Sequence, residues 1–114
     1  FGLLLLTVIN RDYCKKLLVS FPGQKHPEQF HKQKEETFHV LYGSIELELD
    51  GKFQTCVPGD VVTIEPGTRH AFISPKGAVI EEISSTHFKD DSYYTDEKIT
   101  ANKHRKTLLT HWMN

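Results

Sequence analysis

Histidine is the residue type most suited to chemistry in this chain, with seven at positions 26, 31, 39, 70, 87, 104 and 111. A neutral imidazole binds metal ions, and its ordinary pKa lets it carry a proton near neutrality. Reactive residue types concentrate in two stretches, GQKHPEQFHKQKEETFHVLYG over 23–43 and GDVVTIEPGTRH over 59–70. A third feature is the pair Glu81-Glu82 inside an apolar run. Side chains alternate along a strand, so Glu81 shares a face with Val79 and Ile83, and Glu82 with Ala78 and Ile80. One of the two must point toward an apolar interior, where a carboxylate is either a proton-transfer base or an unexplained cost. Parity alone does not decide between them; Glu82 is preferred slightly, with Glu81 as the alternative. Cys14 and Cys56 stand alone, far from any Cys-x-x-Cys spacing, so neither a zinc knot nor a redox pair is indicated. Two free thiols fit a reducing, cytoplasmic location.

The elements that must hold these residues read as strands. Ile45, Leu47 and Leu49 alternate with Glu46 and Glu48, which face water, and Asp50-Gly51 then turns the chain into Phe53-Gln54-Thr55-Cys56 as a hairpin. Pro58-Gly59-Asp60 and Pro66-Gly67 bracket a short strand over 61–64, and Pro75-Lys76-Gly77 separates 70–74 from 78–84. Turns at intervals of about 8 to 12 residues are the spacing of an all-β sandwich or barrel. No segment over 13–88 carries a helical repeat. The polar tail over 89–114 is expected to wrap the barrel as loop and short helix, with Asp90-Asp91-Ser92 as a helix cap. The chain has 114 residues, 38% of them hydrophobic, with 14 basic against 15 acidic residues and a formal charge of −1. That size and balance give one domain with one core, exclude a disordered chain, and lack the basic footprint of a nucleic-acid binder. The apolar run over 3–9 is too short to span a bilayer and lacks the positive flank of a signal peptide, so it reads as a buried strand. The chain opens on Phe1-Gly2 and its only methionine is Met113, which suggests a piece of a longer parent chain.

The two histidine-bearing blocks resemble the two cupin motifs. Gly23 and Gly43 take the glycines of the first motif, His31 its second histidine and Glu36 its glutamate, while His70 takes the histidine of the second motif. Gln29 stands where the first motif has its other histidine, and Glu65 where the second motif has proline. The resemblance implies a single all-β cupin jelly-roll barrel, a double-stranded β-helix, over 1–114. N-terminal strands occupy 1–22, and the core occupies 23–88 with motif 1 at 23–43 and motif 2 at 59–74. An irregular or short-helical tail follows over 89–114. It also implies a metal site at Gln29, His31, Glu36 and His70. Strand geometry is compatible, because Gln29 and His31 are two apart and share a face, and the four residues can converge in the barrel mouth. Two imidazoles, a carboxylate and an amide oxygen, without sulfur, suit Mn, Fe, Ni or catalytic Zn better than structural Zn. The alternative is a ligand pocket in which His31, Glu36 and His70 are merely hydrogen-bonded.

Parity extends the pocket. Phe38, Val40 and Tyr42 point inward with Glu36, and Phe72 and Ser74 with His70, so Phe38, Tyr42 and Phe72 are the expected substrate-pocket residues. His39 then faces out. A divalent ion beside Lys34 would disfavour its ammonium form and make it a better proton donor near neutrality; the alternative is a solvated loop lysine. His26, His87, His104 and His111 have no such frame and read as ordinary.

A closer resemblance covers nearly the whole chain. The stretches over 10–34 and 81–99, with the ending Arg105-Lys106-Thr107 and Trp112, resemble the C-terminal cupin domain of sialic acid (N-acetylneuraminate) synthase-related proteins. The region is similar also to D-lyxose isomerase cupins, which share the His-x-x-x-x-Glu spacing, the lysine at Lys34 and the Glu-Glu-x-Ser strand. Those isomerases imply a manganese-dependent aldose–ketose conversion with a glutamate base, here Glu82 or Glu81, assisted by Lys34. The expected ligand is a sugar or sugar acid, and the expected assembly a homodimer formed through an outer sheet face. Two further function classes stay open: a sugar-binding, regulatory or dimerisation module without turnover, and a non-haem iron oxygenase built on two histidines and a carboxylate.

Overall fold

A computed structural model describes residues 3–95 and 108–111. The described strands are β1 (Leu4–Asn10), β2 (Tyr13–Ser20), β3 (Lys25–Phe30), β4 (Glu36–Gly43), β5 (Ile45–Leu49), β6 (Lys52–Cys56), β7 (Val61–Ile64), β8 (His70–Ile73), β9 (Ala78–Ser85), β10 (Tyr93–Tyr94) and β11 (Leu108–His111). They form a six-stranded sheet ordered β11-β1-β2-β9-β4-β7 and a five-stranded sheet ordered β10-β3-β8-β5-β6. Every pairing is antiparallel except that of β1 with β11. This is the expected two-sheet, all-β barrel.

Period-two alternation drives the packing. Leu18, Phe38, Val40 and Ile80 of the larger sheet meet Ile45, Leu47 and Phe72 of the smaller one in a single apolar core. That core fills one end of the barrel. Toward the other end the inward positions turn polar: Lys16 precedes Leu18 on β2, Glu36 precedes Phe38 on β4, and Glu82 follows Ile80 on β9, all buried. The strands are thus apolar at one end and chemically equipped at the other.

Turns fix the register. Asp50 and Gly51 both have positive φ, 48° and 83°, the conformation that a two-residue hairpin between right-twisted strands requires. Gly43 ends β4 at φ 72°, and a Cβ there would collide with the Gly77 carbonyl oxygen, so only glycine fits where β4 and β9 converge. Among the described residues there is no helix. The cap expected at Asp90-Asp91-Ser92 starts none, because the chain there runs into β10, which pairs with the outer edge of β3. The part of the tail over 96–107 and 112–114, with His104, Arg105, Lys106, Thr107 and Trp112, lies outside the described residues.

Candidate metal centre and cavity

Three strands of the polar end converge on one point. Glu36 opens β4, His70 opens β8, and His31 directly follows β3. Their ligand atoms all lie within 4.8 Å of one another. Glu36 Oε1 is 2.9 Å from His70 Nε2 and 3.4 Å from His31 Nε2, and all three side chains are buried. The other ring nitrogens are anchored, His31 Nδ1 donating to the Asp91 carbonyl at 2.9 Å and His70 Nδ1 to the Thr68 carbonyl at 3.1 Å. A carbonyl acceptor requires the proton on Nδ1, so each imidazole turns its Nε2 to the centre.

That inner arrangement is incomplete as a hydrogen-bond network. The short approach of His70 to Glu36 is out of line for a hydrogen bond, and both Glu36 oxygens and His70 Nε2 remain buried without a hydrogen-bond partner. Such groups are costly unless satisfied. A divalent cation would satisfy all three, so the residues fit one. The electrostatics agree. Burial opposes the charge on Glu36, but the contacts of His31 and His70 and the charge of Lys34 outweigh it and hold the carboxyl well below its usual range. Burial likewise opposes a charged His70, yet Glu36 prevails and raises its pKa.

Gln29 is paired with His70 across β3 and β8 and is buried beside the triad. Its amide nitrogen donates to His26 Nε2 at 3.0 Å, while His26 Nδ1 donates to the Pro27 carbonyl at 3.2 Å. His26 was read as ordinary, but a bulge between His26 and Gln29 breaks the alternation and brings both to one cavity wall. The His26 ring stacks on Phe72 with centroids 5.0 Å apart. Burial, reinforced by His70, lowers its pKa to about 3, so it is neutral.

A small cavity of about 60 Å³ opens beside this centre, lined by Lys16, His26, Gln29, His31, Lys34, Phe38, Glu82 and His87 among others. Lys34 reaches Glu36 Oε2 at 3.3 Å, Glu82 Oε2 at 3.5 Å and His87 Nδ1 at 3.3 Å. Asp91 holds the segment that carries Lys34, its carboxylate accepting the backbone N–H groups of Lys32, Gln33 and Lys34. Burial, then the negative charge of Glu36, push the Glu82 carboxyl up to about 7. His87 is kept neutral by burial and by the charges of Lys16 and Lys34, with its pKa lowered to about 3.

Several expected positions are corrected. Glu81 points away from the barrel, paired with Lys15 at 3.0 Å and His39 at 3.4 Å, because its register neighbours lie on the outer face; Glu82 is the inward member. Tyr42 is 69% exposed, since a bulge between Val40 and Tyr42 breaks the parity that Glu36, Phe38 and Val40 obey. Phe72 is buried but backs the cavity, packing under His26 and against Phe38 rather than forming its wall. Lys34 is buried, not a solvated loop lysine, and its pKa moves up: burial disfavours the ammonium, but Glu82 and Glu36 together more than compensate. Lys16, His26 and His87 were missed. Only the alternation of Lys16 with Leu18 along β2 signalled any of them.

An all-β two-sheet barrel with two imidazoles and a carboxylate gathered inside one mouth defines a class, the small barrel whose donor set is compatible with a divalent cation. The chain belongs to the cupin family: the Cupin domain model matches residues 18–82. It is 35% identical to the D-lyxose ketol-isomerase of Cohnella laeviribosi, over 86% of this chain and 70% of that protein. It is also 35% identical to the D-lyxose/D-mannose isomerase of Thermosediminibacter oceani, with the same coverage of both chains. Among solved structures, KdgF from Halomonas sp. superposes with a TM-score of 0.69 at 20% identity, covering 74% of this chain and 78% of that one.

Proposed function

We propose that this cupin binds a divalent metal ion and a sugar or sugar acid, and that it interconverts an aldose and a ketose. The observation that carries the reading is the buried His31–Glu36–His70 centre with unpartnered ligand atoms, facing a cavity that also holds Glu82 and Lys34. The 35% identity to D-lyxose isomerases supports the reaction class. His31, Glu36 and His70 would hold the ion, with Gln29 at a fourth position, and Mn, Fe, Ni or Zn suits the donor set. Such an ion supplies Lewis-acid polarisation of the sugar carbonyl and its neighbouring hydroxyl.

The protein's own groups handle the protons. Glu82, poised near neutrality by burial, takes the proton from the carbon bearing the hydroxyl and returns it to the adjacent carbonyl carbon. The Lys34 ammonium, anchored by two carboxylates, hydrogen-bonds the oxygen on which charge develops, and the proton of the reacting hydroxyl passes to that former carbonyl oxygen. No net proton or electron is gained, as an isomerisation demands. Phe38 supplies an apolar wall.

The test is incubation of the manganese-loaded protein with pentoses, hexoses and N-acyl hexosamines, followed by a search for ketose. Conversion is expected; none with metal bound overturns the enzymatic reading. One observation favours a second reading, sugar binding without turnover: Gln29 is a weaker ligand than imidazole and its amide is engaged by His26. Sugar-dependent stabilisation without ketose formation would select it. From the resemblance over 10–34 and 81–99 we further infer a sialic-acid-synthase-like parent chain, checked by the length of the gene product. A homodimer through the outer face of the larger sheet, where Val61 and Ile83 are exposed, is checked by sedimentation.

A further inference from the structure

Lys16 takes no part in the proton transfers above, yet β2 directs it into the same cavity. It is 4% exposed, next to Leu18 in the inward row of β2. Its register neighbours are Thr7 on β1 and Glu82 on β9. Glu82 spends its close contact on Lys34, and among the described residues Lys16 makes neither an ion pair nor a hydrogen bond. Thr7 Oγ1, beside it, is likewise buried without a partner. The outward neighbour behaves differently, since Lys15 is 41% exposed and still paired with Glu81 at 3.0 Å.

Burial lowers the Lys16 pKa against the attraction of Glu82. An ammonium here, withdrawn from water with no direct contact, is therefore unfavourable, and the adjacent unpaired hydroxyl adds to the deficit. The same inward row accepts a leucine one position on, so the fold itself does not demand a charge there. What is absent, among the described residues, is an acceptor in direct contact with the ammonium. The charge balance points the same way: a divalent ion on the triad together with Lys16 and Lys34 exceeds Glu36 and Glu82 even when both are ionised. β2 lies two strand spacings, about 10 Å, from β4, which carries Glu36. Glu82 on β9 lies between the two, so a group held by Lys16 sits on the far side of Glu82 from the Glu36 centre.

We propose that Lys16, with the Thr7 hydroxyl beside it, forms a subsite for an anionic group of the substrate, a carboxylate or phosphate at the end of the sugar away from its carbonyl. The barrel then selects charged sugars over neutral ones. This rests on reading the cavity as a sugar site.

Calorimetry of the manganese-loaded protein with a neutral aldose, the matching uronate and the matching terminal phosphate tests it. At least one charged sugar is expected to bind about tenfold or more tighter than the neutral parent. Lys16→Met and Lys16→Gln should abolish that ratio, and Lys15→Met should keep it. The uronate and phosphate arms show which anion fits. Equal binding of charged and neutral sugars, or a preference that survives both Lys16 variants, overturns the subsite, while ketose formation from a neutral aldose would leave the isomerase reading intact. A Lys16-dependent preference without any ketose overturns the isomerase reading and keeps the subsite. Failure of every sugar to bind overturns both.

Discussion

The Asp91 backbone carbonyl accepts the Nδ1 proton of His31 at 2.9 Å, across 60 residues of sequence. The Asp91 carboxylate meanwhile holds the N–H groups of Lys32, Gln33 and Lys34, so one buried residue sets both an imidazole of the centre and the segment that carries the cavity lysine. Partners of this kind orient metal ligands and tune their basicity.

Asp91→Ala should therefore act on the metal site without touching it. The Asp91 carbonyl survives the change but loses the carboxylate contacts that pin it under His31, so manganese affinity is expected to fall toward the effect of a displaced orienting partner, about 10-fold. Charge-assisted hydrogen bonds to three amides are lost as well, so stability should fall by about 3 kcal/mol. Metal titration and thermal melts check both. An unchanged affinity would mean that the Asp91 carbonyl keeps its place under His31 without the carboxylate.

Gln29→His places an imidazole opposite His70 in the β3–β8 register. If position 29 is a ligand position, manganese affinity should rise by about tenfold or more, because imidazole is the better donor. Competition against a chelator measures it. No gain would remove position 29 from the ligand set.

Glu82 gives a signed pH dependence. Its carboxyl is raised from 4.5 to about 7 in the folded, metal-free protein. Between those values the folded state holds a proton that the unfolded chain releases, so stability is lost as pH rises through the window and stays lost above it. Glu82→Gln removes the penalty. The metal-free variant should match its parent at about pH 4 and exceed it at about pH 8 by on the order of 2 kcal/mol. Denaturant melts at the two values decide it. Ketose formation by the loaded variant should drop by about 100-fold or more, the scale of a lost general base.

Lys34→Met would leave Glu36 and Glu82 buried without their shared ammonium. Loss of one member of a buried ionic cluster destabilises by about 3–5 kcal/mol. Manganese should restore part of this by neutralising Glu36, so the rise in Tm on adding metal should be larger for the variant than for the parent. An equal rise would separate Lys34 from the metal centre.

Local spacing in the sequence was enough to mark the strand ends, the Asp50-Gly51 hairpin and the glycine frame, because turn conformation and period-two alternation are properties of a few adjacent residues. The resemblance to the two cupin motifs placed His31, Glu36 and His70 in one frame, and parity narrowed the inward carboxylate to two neighbours. Tertiary structure decided what lies beyond strict alternation. One bulge turned His26 into the cavity beside Gln29, and another turned Tyr42 out of it. The β2–β9 register set Lys16 against Glu82 and sent Glu81 outward. Asp91, which locally looked like a helix cap, became the anchor of His31 only when β10 paired with β3. A bulge or a strand register is an agreement between segments distant in the chain, so no window along one strand contains it.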